Sequence, residues 1–205
     1  MLTVEEIRRL IEEDSISEKK RKAAEGQRYY ESEHDILQYR MFYYNADGIL
    51  VEDRARSNSR ICHPFFTELV DQQAAYIMSF EESPIKAKET VPELQDHLDM
   101  YFDDEFWAEI QELITGADAK GFEYLYAFKD KISETEERLT FQCADCLGVV
   151  EVRAKDTDDN CEYVIYWYTD RVGIDKKLVK KIEVHSKDEI WFYEQVDDGD
   201  IVLDE

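Results

Sequence analysis

The sequence changes its hydrophobic periodicity at residues 121–129, which read GFEYLYAFK. Before this point, apolar side chains such as Trp107, Ile110 and Ile114 recur every three or four residues, as on one face of a helix. Gly121 is a residue type that commonly ends a helix. After it, apolar and polar residues alternate, which is typical of a strand with one buried face. The chain is therefore predicted to be helical before residue 121 and β-structured after it.

Segments of strand character follow one another to the end of the chain. They are rich in Val, Ile, Tyr, Phe and Trp, and turns containing Asp, Asn and Gly separate them. The predicted strands cover residues 122–129, 138–143, 161–169, 178–185, 189–194 and 201–203. Helices first and a run of strands later predict an α+β fold with an antiparallel β-meander, and they exclude the alternating βαβ order of a nucleotide-binding sheet.

The helical part begins with a capping box. Thr3 and Glu6 stand three residues apart at the start of a helical pattern, which predicts a first helix over about 4–13. Further helices are predicted over 17–32, 64–79 and 92–120, with Asp104 as the N-cap of the last helical stretch. Between residues 33 and 60 the periodicity is weak, and this stretch is predicted to be mostly irregular.

Charge is also unevenly distributed along the chain, and it changes at about residue 60. The whole chain has 25 Lys and Arg against 49 Asp and Glu, a formal net charge of −24. Residues 1–60 carry 11 basic and 13 acidic side chains, a net charge of −2, and residues 61–205 carry 14 and 36, a net charge of −22. We therefore expect an N-terminal helical and irregular arm over 1–60 and an α+β domain over 61–205. So acidic a chain repels phosphate backbones, which excludes a conventional nucleic-acid reader.

The sequence contains no pattern of a secretion signal or a membrane span. Charges occupy the positions where a signal peptide has its apolar centre, and no apolar run is long enough to cross a bilayer. We therefore expect a soluble protein that stays inside the cell that makes it, without a membrane partner.

Motifs of the common enzyme classes are also absent. The sequence has no phosphate-binding loop, dinucleotide fingerprint, nucleophile elbow or zinc-protease motif. None of the scattered histidines has a Ser or Cys at a spacing that indicates a catalytic dyad; the four are His34, His63, His97 and His185. Acidic runs at 103–105, 156–159 and 197–200 are typical of solvated loops. We predict that the chain is not an enzyme, with no catalytic, cofactor-binding or metal-binding residue and no cofactor.

One pair of cysteines leaves an alternative open. Cys143 and Cys146 have the spacing of a zinc knuckle or a redox motif, and Cys62 with His63 could supply two more ligands from a distant segment. Cys161 and His185 are further candidates. The alternative function is therefore a zinc-stabilised module or a metal-dependent enzyme, against the simpler interpretation of free, buried thiols.

The only basic cluster in the sequence lies on the second predicted helix and consists of the four consecutive residues 19–22, KKRK. A solvated helix face is the simplest interpretation, and an ion pair with an acidic neighbouring subunit is the competing one. A third possibility for the whole chain is an acidic mimic of DNA that binds a basic protein.

Five stretches, taken in order, resemble portal proteins of tailed bacteriophages, specifically the siphophage type common in phages of Gram-positive hosts. Residues 27–36 (QRYYESEHDI) are similar to the tyrosine-rich opening Y-Y-x-G-x-H-x-I, and residues 58–61 (NSRI) with 64–79 resemble N-x-R-I followed by F-x-x-L-V-D-x-x-x-x-Y-x-x-G. Residues 118–128 resemble the helix-to-strand junction A-x-x-x-G-x-x-Y-x-Y, and residues 181–194 resemble V-x-V-Y-T-x-x-x-I-x-x-Y. Each motif is loose, and their order and spacing make the match.

The resemblance implies the wing-side, N-terminal part of a portal subunit, with residues 61–205 forming the wing-like domain and the stem and clip regions absent. It implies a homo-oligomeric ring, typically a dodecamer, at the portal vertex of the virion, after assembly in the host cytoplasm. Double-stranded DNA passes through such a ring without sequence-specific binding. The implied partners are the terminase motor, capsid and scaffold proteins, and head-tail adaptor proteins.

Overall fold

The structure is a computed structural model that describes residues 2–81, 83–87, 92–131, 137–154, 161–172, 177–196 and 199–204. Within these residues the helices are α1 (Val4–Ser15), α2 (Glu18–Tyr30), α3 (Phe65–Ile77), α4 (Pro92–Tyr101) and α5 (Asp104–Lys120). The strands are β1 (Phe42–Tyr44), β2 (Leu50–Glu52), β3 (Tyr124–Lys131), β4 (Glu137–Ala144), β5 (Val149–Arg153), β6 (Cys161–Val172), β7 (Lys177–His185), β8 (Ile190–Val196) and β9 (Ile201–Leu203). Helices followed by an antiparallel meander confirm the predicted α+β class.

The main core lies between α1 and a five-stranded sheet. The sheet has the order β5-β6-β7-β8-β9, and each neighbouring pair is antiparallel. Ile165 on β6 and Ile182 on β7 are completely buried, and Ile7 and Ile11 of α1 belong to the same cluster. Because Ile7 and Ile11 are four residues apart, they lie on one face of α1, and this face covers the sheet.

Side-chain caps define where α1 and α2 begin. The backbone N–H of Thr3 donates to the Glu6 carboxylate at 2.8 Å, and the Thr3 hydroxyl accepts from the backbone N–H of Glu6 at 3.3 Å, which confirms the predicted capping box. The Ser17 hydroxyl accepts from the backbone N–H of Lys20 at 3.2 Å, so Ser17 is the N-cap of α2. Ser17 directly follows Ile16, which is the C-cap of α1. Two consecutive caps thus join the helices through a very short connection.

A second layer forms around α5 and the β3–β4 hairpin. Phe106 packs edge-on against Phe102, Trp107 and Phe141, with ring centroids 4.8–5.0 Å apart. The C-cap of α5 is Gly121, with φ of 88°, as the sequence predicts. α2 crosses α5 at Gly26, where a Cβ atom would collide with the backbone carbonyl of Ala119. A side chain at position 26 would therefore push the two helices apart.

The stretch 33–60 is mostly irregular, as predicted, and its regular elements are the β1–β2 hairpin and a short 3-10 helix at Asp35–Gln38. Two other details of the sequence prediction are wrong. The strand β5 was not predicted. The N-cap of α5 is Asp103 and not Asp104, because the Asp103 carboxylate accepts from the backbone N–H groups of Glu105 and Phe106.

The helix α3 was correctly predicted to exist, but it is less buried than its sequence suggests. Val70 and Ala74 are its buried residues, whereas Phe65, Leu69 and Tyr76 are 64%, 65% and 82% exposed. Helical periodicity indicates that one face is apolar. It does not show whether this chain alone supplies enough structure to cover that face.

The charge of Asp103 at the start of α5 stabilises the fold in a pH-dependent way. Burial by itself would raise the pKa of Asp103, but the hydrogen bond from Phe106 and the ion pair with Arg138 outweigh burial, and the pKa lies below its ordinary value of 3.8. The unfolded chain therefore takes up this proton at a higher pH than the folded chain. The contribution of the ionised Asp103 is complete above the unfolded pKa and is lost as the pH falls.

We expect Asp103→Asn to lower the free energy of unfolding by about 1 kcal/mol at neutral pH and to flatten the loss of stability on acidification. Asparagine still caps the helix, so the change isolates the charge. Urea unfolding at a series of pH values from neutral to acidic measures the effect. Asp104→Asn is the matched control, because it removes a charge from the same turn without contacting Arg138. Identical pH profiles for the two variants would contradict the prediction.

Candidate functional site: the helix–sheet junction and two exposed surfaces

The turn between β4 and β5, residues 145–149, is held from one side by Lys20. The Lys20 side chain is 5% exposed, and its ammonium donates to the backbone carbonyls of Cys146 and Val149, the latter at 2.5 Å. Its third partner is the Asp14 carboxylate at 3.2 Å. A buried ammonium is stable only when such acceptors surround it, so Lys20 ties α1 and α2 to the start of the main sheet.

Lys120 at the end of α5 holds the same turn from the other side. Its ammonium pairs with Glu123 and, at 2.9 Å, with Asp145. The side chains of Lys120 and Glu123 are 8% and 2% exposed. Burial by itself would lower the pKa of Lys120, but its hydrogen bonds to the two carboxylates outweigh burial and raise it. Glu123 also accepts from the backbone N–H of Cys146. We call the turn 145–149 with Lys20, Lys120 and Glu123 the junction.

The junction is an ion-pair network and does not have the character of a metal site. Ligand atoms of Glu123, Asp145 and Cys146 lie within 4.8 Å of one another, which is the spacing a metal ion requires. However, the Lys120 ammonium already supplies the positive charge to both carboxylates. Burial and the nearby Glu123 charge raise the pKa of Cys146 to about 11, so its sulfur stays protonated at neutral pH and is a poor ligand.

The other predicted zinc ligands bind elsewhere. The Cys62 thiol donates to the carbonyl of Ser32 at 3.0 Å, and His63 stacks on Phe65. The exposed Cys161 donates to the carbonyl of Tyr163. The structure therefore does not bring Cys62, His63 or Cys161 to the Cys143–Cys146 pair in any cluster of ligands among the described residues. The zinc alternative is not supported.

We expect the purified chain to contain no stoichiometric zinc and to unfold at the same temperature with and without a chelator. Elemental analysis by mass spectrometry and calorimetry with EDTA make the two measurements. One zinc per chain together with a lower unfolding temperature in EDTA would contradict this expectation.

A polar cavity of about 620 Å³ lies beside the junction, and Cys143, Glu112, Tyr30 and Thr115 contribute to its wall. Burial and the charges of Glu123 and Glu112 raise the pKa of Cys143 to about 12, so this thiol is unreactive at neutral pH. The lysine in the wall, Lys120, is paired with carboxylates. The side chains around this cavity therefore do not include an activated nucleophile.

The four histidines lie in four different surroundings. His34 stacks on Tyr29, His63 on Phe65, and His185 lies 3.1 Å from the Glu183 carboxylate and packs edge-on against Tyr126. His97 is exposed on α4. The structure therefore does not bring the four histidines together in one site.

The basic cluster at residues 19–22 is divided among separate partners. Lys19 lies over the ring of Phe122 at 3.8 Å, and Lys20 is buried in the junction. Arg21 and Lys22 pair with Glu25 and Glu18 of the same helix, at 3.7 and 2.8 Å. The interpretation as a solvated helix face is therefore wrong for Lys20, and the other three charges do not form a continuous basic surface.

Sequence reasoning missed the junction residues Lys20, Lys120 and Glu123. A signal for Lys20 does exist, because the small residues Ala23 and Gly26 follow it at helical spacing and indicate close packing of that face. Lys120 and Glu123 flank the helix-ending Gly121, and nothing local distinguishes them from the many other charged residues.

Two surfaces lack extensive partners among the residues that the structure describes. The first, the hairpin segment (residues 36–60), exposes the apolar residues Ile36, Leu37, Tyr39, Phe42, Tyr43, Tyr44, Ile49, Leu50 and Val51. Among the described elements, β1 and β2 pack extensively only against each other. An apolar surface of this kind marks a site of interaction.

The second surface is the acidic helix face (residues 92–105), which contains α4. It carries six carboxylates and no Lys or Arg, namely Glu93, Asp96, Asp99, Asp103, Asp104 and Glu105. The apolar residues Leu94 and Met100 are exposed beside them. α4 packs extensively on none of the other helices and strands that the structure describes.

Over nearly its whole length, the chain matches phage portal proteins. Residues 11–205 match the family described as phage portal protein, SPP1 Gp6-like, and the chain therefore belongs to this family. It is 26% identical over 172 residues to the portal protein of Bacillus phage SPP1. This alignment covers 84% of the chain and 33% of the relative, so the chain spans about a third of the length of the curated relative it matches. The resemblance stated from the sequence is confirmed.

Among the helices that the structure describes, none is both long and apolar enough to cross a bilayer.

Proposed function

We propose that this chain forms the N-terminal, wing-side part of a structural subunit of a phage portal ring, through which DNA enters the capsid and later leaves it. The family match over residues 11–205 carries this proposal, because it includes the junction and every described strand. Portal proteins are structural components of the phage particle, which is consistent with a chain that performs no catalysis.

The charge of the chain fits a conduit for DNA. A net charge of −24 repels phosphate, so DNA that passes near this surface is not retained. We accordingly propose the portal vertex of the virion as its location, after assembly in the host cytoplasm. We also propose the terminase motor, capsid and scaffold proteins, and head-tail adaptor proteins as partners of the complete subunit.

The division into residues 1–60 and 61–205 remains our proposal for its organisation. The junction supports one modification of it, since α1 of the first part packs on the sheet of the second, and α2 packs on α5 and is bonded through Lys20 to the turn 145–149. In the modified division, α1 and α2 belong to the α+β domain, and the hairpin segment is the part of residues 1–60 that lies outside it.

Negative-stain electron microscopy and native mass spectrometry of the purified chain test the proposed function. We expect closed rings with one dominant number of subunits. A chain that forms only monomers, or only open filaments, at every concentration would contradict the proposal.

A further inference from the structure

The hairpin segment carries positive charge in addition to its exposed apolar residues. Residues 54–60 at the end of this segment contain Arg54, Arg56 and Arg60 and no acidic side chain, which gives them a net charge of +3 within a chain whose net charge is −24. The side chains of Arg54 and Arg56 are 84% and 73% exposed. Arg54 pairs with Glu52 and Arg56 with Asp53, both within the hairpin segment, and the exposure of the two arginine side chains leaves their guanidinium groups accessible.

The acidic helix face has the opposite character. Asp103 and Glu105 are paired with Arg138, but Glu93 and Asp96 have no cationic partner among the described residues. The exposed Leu94 lies beside them on α4. The two surfaces thus combine the same exposed apolar character with opposite charge.

We infer that the hairpin segment of one copy of this chain packs on the acidic helix face of the next copy. A ring requires two different faces on each subunit, one that meets the preceding neighbour and one that meets the following neighbour. The chain supplies both halves of such a contact, and among the described elements β1 and β2 pack extensively only on each other and α4 on none. A different protein as partner would require only one of the two surfaces. This inference rests on the proposed ring and names the surfaces that build it.

Opposite charges at the contact allow a charge-exchange test with the whole chain. One variant carries Arg54→Glu and Arg56→Glu, and the other carries Glu93→Lys and Asp96→Lys. We expect each variant alone to self-associate at least about tenfold more weakly than the wild type, because like charges then face each other. In an equimolar mixture, each altered surface meets an altered partner of opposite charge and each unaltered surface meets an unaltered one. The mixture should therefore regain assembly.

Sedimentation velocity at several salt concentrations measures association, and circular dichroism checks that each variant is folded. The matched controls reverse exposed charges elsewhere, with Arg171→Glu and Lys187→Glu for the first variant and Asp188→Lys and Glu189→Lys for the second. The controls should assemble like the wild type. Assembly of the wild type should weaken with added salt, because exposed ion pairs are screened.

The outcomes separate this contact from the proposed function. Rings formed by either variant alone, or a mixture that stays dissociated, overturn the contact and leave the portal ring intact. Association that the mixture restores but that never closes into a ring overturns the ring and keeps the contact. A wild-type chain that remains monomeric at its highest attainable concentration overturns both.

Discussion

Replacing Lys20 with methionine should lower the free energy of unfolding by about 3–5 kcal/mol, one of the two largest effects expected in this chain. Methionine fills the space of the lysine stem but supplies no hydrogen-bond donor. The carbonyls of Cys146 and Val149 would then be buried without a donor, and Asp14 would lose its cation. Urea unfolding followed by circular dichroism measures the change.

Lys22→Met is the matched control for this prediction, because it lies on the same helix. The Lys22 side chain is 65% exposed and pairs with Glu18 four residues earlier. Removal of such a pair should cost no more than about 0.5 kcal/mol. If Lys20→Met were as mild as Lys22→Met, the junction would not be a buried ionic contact.

Lys120→Met should also cost about 3–5 kcal/mol, because it leaves the buried Glu123 carboxylate without its cation. Adding Glu123→Gln should restore part of the loss, since a neutral glutamine still accepts from the backbone N–H of Cys146. The double variant should therefore be more stable than Lys120→Met alone. Urea unfolding of both single variants and the double variant gives the coupling free energy.

An exposed pair on the β3–β4 hairpin provides the comparison. The ion pair between Lys129 and Glu137 spans 3.5 Å, and the two side chains are 78% and 53% exposed. Lys129→Met and Glu137→Gln should show a coupling energy below about 1 kcal/mol. If the coupling energy of Lys129 with Glu137 were similar to that of Lys120 with Glu123, burial would not strengthen the ion pair in the junction.

The fold class could be predicted because its longest elements are strongly periodic. The capping box at Thr3 and the glycine at position 121 also fixed two helix ends correctly. The strands of the β1–β2 hairpin have three residues each, and β5 has five, so too few residues alternate to reveal them. The α3 prediction gave the correct helix but not its exposure, which depends on what the rest of the chain covers.

The junction could not be predicted, since its chemistry depends on distant partners. Lys20 bonds to a carbonyl 126 residues further along the chain, and no local pattern indicates that distance. The Cys143–Cys146 spacing shows the opposite case, in which a local pattern indicates a metal site that the distant partners do not support. Local spacing was suitable, but Lys120 pairs with the carboxylates and the buried Cys146 thiol keeps its proton, so the cluster is an ionic contact.

The bond from Lys20 to Val149 also sets an order of events during synthesis. The two residues are 129 positions apart, so α2 leaves the ribosome long before its acceptors exist. Until the turn 145–149 has been translated, only one of the three acceptors of the Lys20 ammonium exists, namely the Asp14 carboxylate. The amino-terminal helices therefore reach their final anchorage only after the turn 145–149 has been synthesised.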